Sequence, residues 1–427
     1  MAKKNSPPDW LKLDNAAKIY PAAKTRFWTA VFRLSITLDE KIDPAILQKA
    51  LNSTIERVPF FNYRLRSGFF WYYLDKQKNI PSVQMDVRNP CSRMLRKSED
   101  HSLFRIRYYE NRIALEVFHS LTDGTGAMHF LATLAAEYLQ LSKRIYVEPK
   151  GFVLDTKSLP KKEEWEDSFS VYARHGARSR SEEKAYSISG TPLFPGYLSL
   201  TTGIMDTQEL KNKAHSYGCS INVFLSALLI KAILLHQEQH AKNSKLPVKI
   251  SIPQNLRKYY PSETLRNFSS YYNVGVNASY GKFSLEDIIQ VLINTSKIES
   301  MEPMVNARMS SNVQAEQNRF LRVVPLFIKT PFLKLMYSLF GERYFSMSFS
   351  NLGNIVFPKG LQQHVKRVNF ILGSARYNAM SLGAISSNGL TTCSFSSTIK
   401  ETDIQRSFFT SLVKLGIHVK VESNRRE

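Results

Sequence analysis

Two strands that fold back on each other and run straight into a helix restrict this chain more than any other feature of its sequence. Segments 103–109 and 113–118 are rich in branched and aromatic residues. Glu110-Asn111-Arg112 between them reads as a turn, so the pair predicts a β-hairpin. Only His119-Ser120-Leu121-Thr122-Asp123-Gly124 separates the second strand from a strong helical pattern over about 126–141. Apolar strands followed at once by helices pack as layers, sheet against helix. The same order returns faintly near the C-terminus. Segments 380–385 and 390–395 predict a hairpin around Ser387-Asn388-Gly389, and 403–415 predicts a helix. Aligned by its phenylalanine on Phe118, the second run Phe395-Ser396-Ser397-Thr398-Ile399-Lys400 carries no histidine. One live site and one dead counterpart are expected.

The rest of the chain fits an α/β fold of two halves. Segment 32–38 has strand character. Asp43 and Pro44 then open a helix whose apolar residues Ile46, Leu47, Ala50, Leu51 and Ile55 recur at helical spacing, and Val58-Pro59 closes it. Segment 69–74 is a β-rich aromatic run. From 142 to 187 the periodicity fades and charge rises, as in a crossover. A second unit follows, with a strand at 197–205, a helix at 206–215 and a long apolar helix at 220–239 capped by Ser220. Further strands are predicted at 247–253, 271–278, 344–351 and 365–372. The expected division is 1–150 for the first half, 151–190 for the linker and 191–427 for the second half.

Composition narrows the partners. Of 427 residues, 43% are hydrophobic, enough for a sizeable core, which excludes wholesale disorder. Lys and Arg number 58 against 36 Asp and Glu, a net charge of +22. A polyanion, an anionic membrane face or a phosphate-bearing ligand is therefore expected as a partner. Basic clusters occur around 93–107, 174–180 and 257–260, but no nucleic-acid-binding signature accompanies them, and no nucleic acid is expected. Cys91, Cys219 and Cys393 are far apart, which suits a reducing compartment rather than a disulfide framework. The N-terminal MAKKNSPPDW has no apolar run behind its lysines. The most apolar stretches, 221–235 and 321–340, are interrupted by Lys231 and by Pro325, Lys329, Pro331 and Lys334 respectively. Neither approaches about 20 uninterrupted apolar residues. A cytoplasmic protein, peripheral at most to the inner membrane face, is expected.

His119 is the residue best placed for chemistry. It ends a predicted buried strand, and Gly124 and Gly126 make the backbone after it permissive. A ring held there can face a cleft, and an unperturbed pKa near ~6.5 suits it to accept a proton at neutral pH. Asp123 lies four residues on. It either orients the histidine as a His–Asp pair or turns away to pair with an arginine, and spacing leaves both open.

His119-Ser-Leu-Thr-Asp123-Gly124 on a strand–loop–helix resembles the HxxxDG motif of the chloramphenicol-acetyltransferase-like superfamily. This superfamily includes plant acyltransferases, alcohol acetyltransferases, polyketide-associated acyltransferases and peptide-synthetase condensation domains. The motif's place about a third of the way along, the crossover and second half, and Ser350-Asn351-Leu352-Gly353 after a β-rich run extend the resemblance over roughly 10–420. It implies two halves, each a mixed sheet flanked by helices, with an active-site channel between them. It implies an acyltransferase that moves an acyl group from a thioester, acyl-coenzyme A or an acyl carrier, to an alcohol or amine, with His119 as general base. Asp123 is then structural, with Arg257 as candidate partner, and Gly124 is the small residue beside the channel. Ser350 and Asn351 are the candidates for oxyanion or substrate contact. No permanently bound cofactor is implied, only acyl-coenzyme A as co-substrate. Phe118 stands where condensation domains carry a further histidine, and the DFGWG of plant members does not occur. The alcohol-acetyltransferase-like branch is therefore the better match. The alternative is a non-catalytic, condensation-like module that docks a carrier protein. A monomer is expected, since two halves in one chain supply their own interface.

Other signals are weaker. His236 and His240 are spaced i, i+4, but their order is not HExxH and no third ligand is evident in sequence, so a solvated helix end is expected and no metal site. Gly218-Cys219-Ser220-Ile221-Asn222 lacks the last glycine of a nucleophile elbow. His129 reads as a packed helix residue. Segment 321–344 interleaves lysines with Phe, Leu and Met. It reads first as two core-packing helices broken at Pro331, and second as a cover for a lipophilic tunnel or a membrane contact.

Overall fold

A computed structural model describes residues 7–23, 28–94, 102–174, 182–241, 244–317, 323–331, 342–375 and 378–425. Two large sheets carry the architecture. The first runs in the order Val365–Leu372, Val31–Leu38, Arg112–Phe118, Phe104–Tyr109, Gln84–Met85 and is antiparallel except at its last pair. The second has seven strands in the order Ser269–Val276, Val248–Asn255, Met347–Asn354, Met380–Ser387, Leu390–Ser397, Ser199–Asp206, Lys420–Ser423. Met347–Asn354 is parallel to both its neighbours, which makes this sheet mixed. A small antiparallel sheet of Trp10–Lys12, Tyr72–Lys76 and Tyr63–Ser67 flanks the first. The fold is thus two α/β halves, each a mixed sheet with helices against it.

Local chemistry accounts for most of these elements. Asp43 caps the Pro44–Arg57 helix by accepting from the Ala45 and Ile46 amides. Ser220 caps Ile221–His240 in the same way through Val223. That long helix passes length and composition criteria for a membrane span, yet most of its apolar side chains, Phe224, Leu225, Leu228 and Ile233 among them, are buried in the core of the second half. The turn between Met380–Ser387 and Leu390–Ser397 takes Asn388 and Gly389 at φ of 51° and 78°, which suits the twist of a tight hairpin. The aromatic run at 69–74 is not a continuous strand. Gly68 donates to Trp71 O at 2.8 Å, which closes a turn with Phe69 and Phe70 at its tip, and the strand begins at Tyr72.

Two features bind the halves. Val365–Leu372 lies in the second half of the sequence but pairs with Val31–Leu38 in the first sheet. It also crosses close over the second sheet, where a Cβ on Gly383 would meet Phe370 O at 2.5 Å. The crossover, with its short turns Lys162–Trp165 and Ser168–Tyr172, is pinned to the first half by Arg57. Arg57 Nη1 and Nη2 donate to the Glu164 carboxylate at 2.7 and 2.5 Å, both residues being buried. Cys91, Cys219 and Cys393 are buried and unpaired with one another. Of the apolar segment 321–344, a short helix spans 326–331, and the second helix expected beyond Pro331 lies outside the described residues.

Candidate active site

The strand Arg112–Phe118 ends at the junction of the halves, and His119 follows it there. The His119 amide donates to Ala30 O at 2.9 Å, which holds the turn out of the strand. The next residues are locked: Ser120 Oγ donates to Ala17 O at 2.9 Å and Thr122 Oγ1 to Leu265 O at 2.5 Å. Asp123 then caps the helix Gly124–Lys143, its Oδ1 accepting from the Thr125 and Gly126 amides at 3.1 and 3.0 Å.

Asp123 makes no pair with His119. Its Oδ2 accepts from Arg257 Nη1 and from the Phe268 amide, both at 2.8 Å. Burial pushes this carboxyl up, but the Arg257 charge and its hydrogen bond, with the Phe268 and Gly126 amides, pull it below the ordinary carboxylate value. Arg257 spends its other donors on the same loop: Nε on Thr264 O at 2.9 Å and Nη2 on Arg266 O at 2.6 Å. The loop Thr264-Leu265-Arg266-Asn267-Phe268 is thereby clamped onto the motif from the second half. Gly126 makes the approach possible, because a Cβ there would lie 2.0 Å from Leu265 O and 2.2 Å from Thr122 Oγ1.

The clamped loop delivers a residue that the sequence did not single out. Asn267 Oδ1 lies 3.0 Å from His119 Nδ1. The amide's orientation is fixed from behind, since Asn267 Nδ2 donates to Asp14 Oδ2 at 3.2 Å. With the oxygen facing the ring, Nδ1 carries the proton and donates, and Nε2 keeps its lone pair. Asp14 is itself anchored by the Ala17 amide at 2.7 Å and by Arg266 at 3.5 Å. Burial pushes the Asp14 carboxyl up to about 6 against the pull of Arg266. Tyr20 stacks on the His119 ring, 4.6 Å between centroids and 15° between planes, and Phe32 meets it edge-on at 5.0 Å. This burial lowers the ring's pKa from its ordinary 6.5, opposed by its own backbone carbonyl, the Asp123 charge and Asn267, which favours the neutral imidazole at pH 7.

His119 opens into a cavity of about 500 Å³ between the halves. Tyr20, Phe32 and Gly124 line it from the first half, and Asn255, Ser350 and Asn351 from the second. Gly124 faces Leu352, whose Cδ2 would lie 2.7 Å from an added Cβ. Asn351 is partly committed, with Oδ1 accepting from the Gly353 amide at 2.8 Å and Nδ2 donating to Asn222 at 3.3 Å. Among the described residues no group bonds the Ser350 hydroxyl. Lys258 brings a cation to the lining. His129 packs elsewhere on its helix, 4.9 Å from the Phe152 ring, with its pKa lowered by burial to about 4.

Comparison with solved structures places this geometry in a known fold. Polyketide synthase associated protein 5 from Mycobacterium tuberculosis superposes with a TM-score of 0.63 at 14% identity, over 95% of this chain and 97% of that one. F. graminearum TRI101, solved with coenzyme A and T-2 mycotoxin, gives 0.62 at 11% identity over 96% and 99%. The epimerization domain from the third module of tyrocidine synthetase B gives 0.58 at 12% identity over 97% of each chain. The chain has their fold. No family model matches the sequence, and no curated protein matches it.

The clamp makes a pair of glycine substitutions behave differently. Alanine in place of glycine inside a helix normally stabilises by about 1 kcal/mol. Gly126→Ala instead drives a Cβ into backbone, and chemical denaturation is expected to show a loss of about 1–3 kcal/mol. Gly124→Ala meets only the mobile end of Leu352 and is expected to stay within about 1 kcal/mol of the parent protein. Equal stability of the two variants would contradict the docking of the 264–268 loop.

Proposed function

We propose that the protein is an acyltransferase that moves an acyl group from a thioester, acyl-coenzyme A in the first instance, to an alcohol or amine, with His119 as general base. One observation carries the reading: a half-buried histidine at an inter-half cavity has its Nδ1 committed to Asn267, which leaves Nε2 for an acceptor. The fold is also that of a protein solved with coenzyme A, which favours the same donor here.

In this reading the acceptor hydroxyl or amine gives its proton to His119 Nε2 as its oxygen or nitrogen attacks the thioester carbonyl. The imidazolium that forms keeps its Nδ1–H on Asn267. The tetrahedral oxyanion needs a donor where charge develops. Ser350 is the first candidate, since its hydroxyl is uncommitted, and Asn351 the second. Collapse expels the thiolate, which recovers the proton from Nε2. Asp123, Arg257 and Gly124 act by shaping the motif and the channel. Lys258 offers a charge for the phosphates of a coenzyme A donor. A module that only docks a carrier protein would have no use for a histidine held in one tautomer.

His119→Ala is expected to abolish thiol release from acyl-coenzyme A in the presence of an acceptor, a loss of about 10²–10⁴-fold. Its unfolding transition should match the parent's, and retained turnover would contradict the role of His119. Because the base must be neutral and burial lowers its pKa, the acid limb of kcat/KM is expected below pH 6.5, with a plateau at neutral pH.

The reading extends to a cytoplasmic enzyme that touches an anionic membrane face. Phe69 and Phe70 at the hairpin tip and Phe327 and Ile328 beside them are exposed, Phe69 at 66% and Phe327 at 69%. The two elements are joined by Leu326 N to Phe69 O at 2.7 Å and Lys329 Nζ to Phe70 O at 3.2 Å. Lys18 lies 5.7 Å from the adjoining Trp71 ring, two residues from Tyr20 on the His119 ring. Apolar side chains beside lysines on a chain of +22 suit an interface with anionic lipid. Co-sedimentation with anionic vesicles should fall on Phe69→Ser/Phe327→Ser and on added salt. Unchanged binding by the double variant would remove this surface from the account.

A further inference from the structure

The end of the Ile221–His240 helix carries a second cluster, built from residues that do not line the cavity. His236 and His240 stand one turn apart, with ring centroids separated by 4.4 Å. The fold adds what the sequence could not show, a third group. Asp403, at the first turn of the Asp403–Lys414 helix, reaches across so that its Oδ2 hydrogen-bonds His236 Nδ1 and lies 3.8 Å from His240 Nε2. One nitrogen from each ring and one carboxylate oxygen all lie within 4.8 Å of one another. His236 is buried, and its Nε2 has no partner, so the polar commitment of the ring is to this cluster alone.

We propose that His236, His240 and Asp403 form a site for one divalent transition-metal ion of the Zn2+ type. Imidazole nitrogens and a carboxylate oxygen are the donor set such an ion takes, and three protein ligands leave a fourth position for water. Metal–ligand bonds of 2.0–2.2 Å put tetrahedral donors about 3.3 Å apart. The carboxylate edges of the cluster bracket that figure, and His240, half-exposed at the helix end, is able to swing inward. Two features of the surroundings favour a cation, against the positive end of the Asp403–Lys414 helix. The cluster sits at the negative end of a 20-residue helix. Glu401, whose carboxylate accepts from the Thr191 amide at 2.9 Å, lies within electrostatic reach of His240. The ion would fasten the last helix to the long core helix of the second half. Its role is therefore structural, and the proposal stands independently of the acyltransferase reading.

The test uses untagged full-length protein stripped with a chelator and titrated with Zn2+ by calorimetry, with thermal unfolding in parallel. One ion per chain and a rise in Tm are expected. His240→Ala and Asp403→Asn should each weaken binding on the order of 100-fold and erase the rise in Tm. Both substitutions leave the apo fold intact, because His240 is half-exposed and an asparagine still bonds His236. His215→Ala, near the start of the same long helix and away from the cluster, should change neither readout. Absence of binding by the parent protein, or parent-level affinity in His240→Ala and Asp403→Asn, would overturn the site.

Discussion

The carboxylate of Asp123 is the contact on which the rest of the site depends. Its two oxygens take four donors, two amides from its own helix and two groups from the other half of the chain, Arg257 and the Phe268 amide. The pair is buried, so removing one partner would strand a charge at a cost of about 3–5 kcal/mol. Such a contact adds geometry more than net stability. It sets where the 264–268 loop sits, the loop sets Asn267, and Asn267 sets which nitrogen of His119 carries a proton. An aspartate four residues from a histidine thus controls it through a loop nearly 150 residues away, and not by touching it.

Other buried acids are held by arginines in the same way. Arg33 and Arg105 converge on Glu116, which is fully buried and also accepts from the Cys91 amide at 2.8 Å. Arg57 holds Glu164, Arg257 holds Asp123 and Arg266 reaches Asp14. These arginines are structural members. They join strand to strand, crossover to first half and second half to motif. Glu164 shows how far the linkage extends: its carboxylate takes Arg57, while its carbonyl accepts from the Leu265 amide at 2.8 Å in the loop that reaches His119. Lys258 is exposed at the cavity.

Local signals in the sequence were strong wherever a single element decided the outcome. The hairpin before His119, the caps at Asp43 and Ser220, the Asn388-Gly389 turn and the strand Val365–Leu372 were all readable, because period, cap and turn chemistry act within a few residues. The Leu285–Glu299 helix, with its Ser284–Asp287 capping box, carried the same kind of signal but was not singled out in the sequence. Asn267 and Asp14 were not readable. Each reaches His119 only through contacts that span more than 140 residues of sequence, and an asparagine between two strands looks like any turn residue. Asp403 was hidden for the same reason, since it meets His236 only after two helices pack. The swap of Val365–Leu372 into the first sheet was invisible too, as strand pattern says nothing about which sheet a strand joins.

The central claim is that Asn267 fixes His119 with its proton on Nδ1 and its lone pair on Nε2. Nitrogen-15 NMR of the histidine rings at neutral pH tests it directly, with the His119 signals assigned by their loss in His119→Ala. The account predicts a protonated, pyrrole-type Nδ1 and an unprotonated, pyridine-type Nε2 in the parent protein, with averaging between tautomers in Asn267→Ala. A proton resident on Nε2 in the parent protein would contradict it.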